Sequence, residues 1–126
     1  MARMESAEFE RIAEEVYDML PEGFKARIEN LRIVIEDLPG VEQLKKVGAT
    51  LPYSLLGLYQ GVPLNYRNTG YGTYPIMPDT ITLFKRNIES VVRQESGIRE
   101  KIREVLIHEI AHYFGMTEEE IRLAGY

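Results

Sequence analysis

Cysteine is absent from the 126 residues, which excludes disulfides, thiolate metal sites and cysteine nucleophiles together. No apolar run approaches the 18 or so uncharged residues of a membrane span. Basic charge is in short supply: 15 Lys and Arg face 20 Asp and Glu, a net of −5. That balance argues against a nucleic-acid footprint and against a polybasic membrane anchor. The opening MARMESAEFERIAEEVYDML has acids every few residues and no apolar h-region, so it does not read as a signal peptide. Histidine occurs twice. A chain of this length buries roughly two-thirds of its unfolded surface, enough for one core and not two. The expectation is a soluble, cytoplasmic chain forming a single domain over residues 1–126.

Arg3 to Leu20 carries Phe9, Ile12, Val16 and Leu20 at spacings of 3, 4 and 4, an amphipathic helix that Pro21 stops. A helical turn is expected from Glu22 to Asn30. Leu31 to Leu38, with its β-branched centre Ile33-Val34-Ile35, reads as a mostly buried strand ending at Pro39-Gly40. Leu55 to Tyr59 reads as a short strand, followed by a long loop rich in glycine, proline and tyrosine. Asp79 to Lys85 alternates like a third strand. From Asn87 the pattern is helical, with Ile88, Val91 and Val92 in a short helix broken near Gly97. A long helix runs from Ile98 to Phe114. Its second half is apolar nearly all round except for His108, Glu109 and His112, so these three polar residues are expected in the interior, where they need partners.

They form the pattern H-E-x-x-H. Positions i and i+4 of a helix differ by about 40° in azimuth, so both imidazoles project from one side and reach one Zn²⁺. Glu109 lies about 100° from the first histidine and flanks the metal, placed as general base toward a metal-activated water. On composition alone, two histidines four apart with glutamate after the first arise in about 0.2% of shuffled chains. The bland reading, two neutral core histidines in a polar network with a buried Glu, requires every member to be satisfied. The metal reading is preferred.

A catalytic zinc site takes three protein ligands and an open position. With no further histidine, the third ligand must be a carboxylate, and the 14 residues after His112 hold one acidic cluster, Glu118-Glu119-Glu120. Gly115 can adopt the positive φ that ends the helix and turns the chain back. The spacing H-E-x-x-H-x-x-G-x-x-E then favours Glu118, with Glu119 as the alternative. Glu120 pairs with Thr117 as a capping box for a last helix, Thr117 to Leu123. Asp79 and Asp37 are the other acids weighed, with no spacing argument behind them.

HEIAHYFGMTEEEI resembles the terminal motif of the minimal zincin-like metallopeptidases, small bacterial proteins with a shortened zincin fold. MLPEGFKARIENLRIVIED, LLGLYQGVPL and PDTITLFKRNIE resemble the family's other segments in its order, so the resemblance covers about Met19 to Ile121. It implies an α+β fold, a small mixed β-sheet packed against a long active-site helix. It also implies one zinc per chain on His108, His112 and the acid three residues after the glycine, here Glu118. The family's usual acid there is Asp, and Glu118 is one methylene longer.

The reading that follows is a zinc-dependent metallopeptidase in which Glu109 takes a proton from water and passes it to the leaving amine. A second donor to the developing oxyanion is expected, with Tyr66, Arg67, Tyr71 and Tyr74 of the long loop as candidates. Tyr113 is expected to pack in the core. The substrate is a peptide or protein, held by strand addition at a sheet edge; neither nucleic acid nor membrane is expected as a partner. The alternative is a non-catalytic metal-binding or partner-binding module that keeps the site. The peptide deformylases share H-E-x-x-H but use a cysteine ligand, which is missing here. Two imidazoles and a carboxylate suit Zn²⁺ best and also accept Fe²⁺, Co²⁺ or Ni²⁺.

Overall fold

The computed structural model describes residues 3–49, 51–61 and 79–125. Within them lie helices α1 (Ser6–Asp18), α2 (Glu22–Lys25), α3 (Val41–Val47), α4 (Lys85–Ser90), α5 (Ile98–Tyr113) and α6 (Glu118–Leu123). Strands are β1 (Leu31–Glu36), β2 (Gly57–Gln60) and β3 (Asp79–Phe84), and a 3₁₀ turn, Glu95–Gly97, leads into α5. The sheet order is β1-β3-β2, with β1 parallel and β2 antiparallel to β3. None of the described helices is long and apolar enough to cross a membrane.

The stripe of α1 is buried as expected at Phe9, Ile12 and Val16, and Ala13 joins it. These side chains meet Ile102, Leu106 and Ile110 of α5 and Ile81 and Leu83 of β3 in one core. β3 is buried on both faces, as the middle strand of a covered sheet must be. β1 is not the mostly buried strand expected. It is an edge strand, ends at Glu36, and exposes Arg32 and Glu36.

Other boundaries also move. The expected strand Leu55 to Tyr59 begins at Gly57, because Leu55 and Leu56 precede the ladder, and Lys85 opens α4 rather than closing β3. α3 was not foreseen: its apolar residues Val41, Leu44 and Val47 recur every third position over only seven residues, and none of them is buried; it is bounded by Gly40 and by Gly48 at φ 69°. Lys85 and Glu89 are buried one turn apart on α4, joined at 2.9 Å, and the same Glu89 oxygen accepts the Met4 N–H at 2.7 Å.

Candidate metal centre

α5 ends in a turn that depends on glycine. Gly115 sits at φ 90°, its N–H donates to the His112 carbonyl at 2.8 Å, and the Met116 N–H donates to the Ala111 carbonyl at 3.0 Å. This is the Schellman pattern, and it reverses the chain within one turn of the second histidine. Thr117 then caps α6: its Oγ1 accepts the Glu120 N–H at 3.1 Å while Glu120 Oε1 accepts the Thr117 N–H at 2.9 Å. Glu118, the first residue of α6, therefore faces the end of α5.

One oxygen of Glu118 meets both imidazoles. Oε1 lies 3.0 Å from His108 Nε2 and 2.7 Å from His112 Nε2. The two rings sit 5.2 Å apart, edge to face. His112 Nδ1 is 3.1 Å from the Met116 carbonyl oxygen, which can only accept, so Nδ1 carries the proton. Nε2 of a neutral His112 is then a bare lone pair facing a carboxylate oxygen. Two such lone pairs at 2.7 Å require a cation between them, a proton or a metal ion. At 2.7 and 3.0 Å these donor atoms would need to move only slightly apart to hold a metal ion between them. Nitrogen and carboxylate donors of this kind fit a divalent transition metal.

Glu109 completes the group: ligand atoms of His108, Glu109 and His112 lie within 4.8 Å of one another. Glu109 is 8% exposed, and its Oε1 accepts the main-chain N–H of Tyr59 at 2.9 Å. Burial pushes its pKa above the ordinary value, only partly opposed by the charges of His112 and His108 and by the Tyr59 hydrogen bond. For Glu118 partial desolvation also pulls upward, but the hydrogen bonds from His108 and His112 win and hold it below the usual carboxylate value. The neighbouring acids thus diverge, one made more basic and one kept ionised.

The approach of β2 to α5 makes the Tyr59 contact. An added Cβ at Gly57 would fall 2.6 Å from Val105 Cγ1 and 3.4 Å from Glu109 Cγ, so only glycine allows β2 to lie this close. Two clefts flank the group. One of about 670 Å³ is lined by residues including Ser54, Lys101, Arg103, His108 and Glu118. The other, of about 540 Å³, includes Val47, Leu58, His112, Met116 and Glu118, and Gly57 and Glu109 border both.

The four residues of the sequence motif, His108, Glu109, His112 and Glu118, therefore converge. Glu119 forms no hydrogen bond with either ring, and Glu120 is the cap partner. Asp79 is engaged elsewhere, accepting the Tyr59 hydroxyl at 2.7 Å, and Asp37 lies 3.9 Å from Arg86. Tyr113 is fully buried, its hydroxyl donating to the Glu29 carbonyl and accepting the Glu29 N–H. Tyr66, Arg67, Tyr71 and Tyr74 lie outside the described residues. The main-chain groups of Tyr59 and Met116 were not foreseen. Met116 was within reach of sequence reasoning, four residues beyond His112 and just past the helix-ending glycine; a main-chain donor such as Tyr59 leaves no residue-type signal.

Residues 28–126 match the family model for zincin-like metallopeptidase. Among solved structures, a conserved hypothetical protein from Thermus thermophilus is similar at 18% identity and a TM-score of 0.52, over 96% of this chain and 98% of that one, a likeness of fold. No curated protein matches the chain. The mixed helices and three-stranded sheet agree with an α+β zincin-like fold, and the chain belongs to the zincin-like metallopeptidase family.

Proposed function

We propose, from this membership and from the meeting of Glu118 Oε1 with both Nε2 atoms, that the chain is a zinc-dependent peptidase holding one metal ion on His108, His112 and Glu118. When bound, zinc supplies Lewis-acid polarisation of a water molecule and of the scissile carbonyl. Glu109 is the general base. One of its oxygens is held by the Tyr59 N–H; the other accepts no hydrogen bond from the described residues, and because no buried side-chain oxygen among them lacks a partner, it opens onto the clefts. Burial raises its proton affinity toward the working range of a base, which lets it take the water proton and return it to the leaving amine.

The His112–Met116 hydrogen bond keeps the ligating nitrogen free of its proton and the ring in orientation. The substrate is an extended peptide added to the outer side of β2. The Phe84 N–H donates to the Leu56 carbonyl at 3.0 Å, so the main-chain groups of Gly57 and Tyr59 turn away from β3; the Tyr59 N–H is taken by Glu109, and Gly57, which borders both clefts, is the residue that holds the substrate backbone.

The test is metal analysis by mass spectrometry of untagged protein, followed by a peptide screen. Expected are about one zinc per chain, loss of zinc in His108→Ala, weakening in Glu118→Ala, and hydrolysis that Glu109→Gln abolishes with zinc retained. Failure to bind zinc even when it is offered overturns the metal site. Zinc binding with no hydrolysis of any peptide that differs between wild type and Glu109→Gln leaves the non-catalytic module.

A further inference from the structure

β1 is an edge strand of six residues, and among the described residues nothing pairs with its outer side. The Asp79 N–H donates at 2.9 Å to the carbonyl of Asn30, the residue before its register partner Leu31. In a parallel ladder this turns the main-chain groups of Arg32, Val34 and Glu36 toward β3, and those of Leu31, Ile33 and Ile35 outward. The side chains of Leu31, Ile33 and Ile35 pack against the core, which leaves Arg32, Val34 and Glu36 on the opposite face, the two charges exposed. Neither charge has an ion-pair partner among the described residues. Free edges are ordinarily protected by charged side chains, proline or a bulge. β1 has neither proline nor bulge: its register runs unbroken from Leu31 to Glu36, with Ile-Val-Ile at its centre, and its two charges, Arg32 and Glu36, are of opposite sign.

The charge pattern is self-complementary about Val34, with arginine two residues before and glutamate two after. We propose that the outer edge of β1 pairs with β1 of a second copy of this chain, antiparallel about a two-fold axis at Val34, so that two three-stranded sheets become one of six strands. In this register Ile33 stands opposite the partner's Ile35, and both residues have outward main-chain groups, so they form a hydrogen-bonded pair; the symmetry repeats it. Val34 meets its own copy. Arg32 stands opposite the partner's Glu36 at a close, non-hydrogen-bonded crossing, and again by symmetry. Centring the pair on Ile33 or Ile35 instead keeps the outward groups matched but sets Arg32 or Glu36 against valine. Only the Val34 register satisfies both charges, and a two-fold interface of this kind closes at a dimer.

Sedimentation equilibrium and native mass spectrometry at micromolar concentration test the interface. The wild type is expected to be a dimer. Arg32→Glu and Glu36→Arg each place like charges at both crossings and are expected to raise the dissociation constant about tenfold or more. Mixing these two variants restores opposite charges at both crossings, so a heterodimer is expected from two weakened homodimers; the double variant Arg32→Glu/Glu36→Arg is expected to dimerise like the wild type. Circular dichroism confirms that each variant is folded, since both side chains are exposed. A monomeric wild type, a dimer indifferent to Arg32→Glu, or failure of the mixture to associate overturns the proposal.

Discussion

Replacing Gly57 by alanine tests whether the close crossing of β2 and α5 seats the base. The new Cβ would sit 2.6 Å from Val105 Cγ1, 3.3 Å from the Thr82 carbonyl oxygen and 3.4 Å from Glu109 Cγ. Carbon atoms prefer about 3.5–4.0 Å, so strand and helix must part by roughly 1 Å. Neither can do so freely. Val105 is 7% exposed, and its neighbours Ile102, Leu106 and Ile110 are fully buried. Overpacking of this kind costs about 1–3 kcal/mol, and a loss near 2 kcal/mol lowers Tm by about 8 °C in a chain of this size. Val105→Ala alone costs about 1–3 kcal/mol through the space it opens. In the double variant the new methyl enters that space, so the losses fall short of additive by about 1–2 kcal/mol. Thermal unfolding of the four metal-free proteins measures the cycle. Additivity within about 0.5 kcal/mol would refute a tight β2–α5 contact at this position.

Glu109 has a pH signature in chelator-treated protein. Its folded pKa lies above the ordinary 4.5, chiefly through burial. Between those two values the folded chain binds more protons than the unfolded one, and stability falls as pH rises. Glu109→Gln, whose amide oxygen can still accept the Tyr59 N–H, should lose that slope and melt above the wild type at neutral pH; parallel curves would contradict this. Thr117→Ala removes the cap oxygen held by the Glu120 N–H, should cost about 1 kcal/mol, and should weaken zinc binding by loosening Glu118. Glu119→Ala should change neither, and unaltered zinc affinity in Thr117→Ala would mean that the cap does not position the ligand. Lys85→Met strands Glu89 with only the Met4 N–H and should cost about 3–5 kcal/mol in urea unfolding. Adding Glu89→Leu should recover most of the loss, and no recovery would show that the buried ion pair is a net stabiliser.

Legibility followed the range of the interactions. α5 was readable because its apolar positions and its three polar exceptions share one helical period, and the end of α5 because Gly115, Thr117 and Glu120 act within a few residues of one another. Glu118 and Glu119 are adjacent and chemically identical, so spacing could rank them but not separate them; the cap geometry turns one toward the rings. α3 was missed because Val41, Leu44 and Val47 mark fewer than two helical turns, too short a stretch to establish a period, and none of its residues is buried. The exposure of one face of β1 was hidden for the opposite reason: Leu31-Arg32-Ile33-Val34-Ile35 has the β-branched density of an interior strand, and its place at the edge follows only from the pairing of distant segments.

The same division separates the two halves of the proposed chemistry. All three proposed ligands and the base fall within residues 108–118, on one helix, one turn and the start of the next helix, so metal affinity should follow local features: Gly115, the Thr117 cap and the Met116 carbonyl. The orientation of the base does not. Glu109 is held by a main-chain N–H that lies fifty residues away in sequence, delivered by a strand whose approach depends on the missing side chain of Gly57. A substitution at Gly57 should therefore impair hydrolysis while leaving zinc affinity nearly unchanged, and a substitution at Thr117 should lower zinc affinity first. If Gly57→Ala and Thr117→Ala instead reduce zinc binding and turnover in equal proportion, the base and the ligands are not independently supported, and the site is a single packed unit.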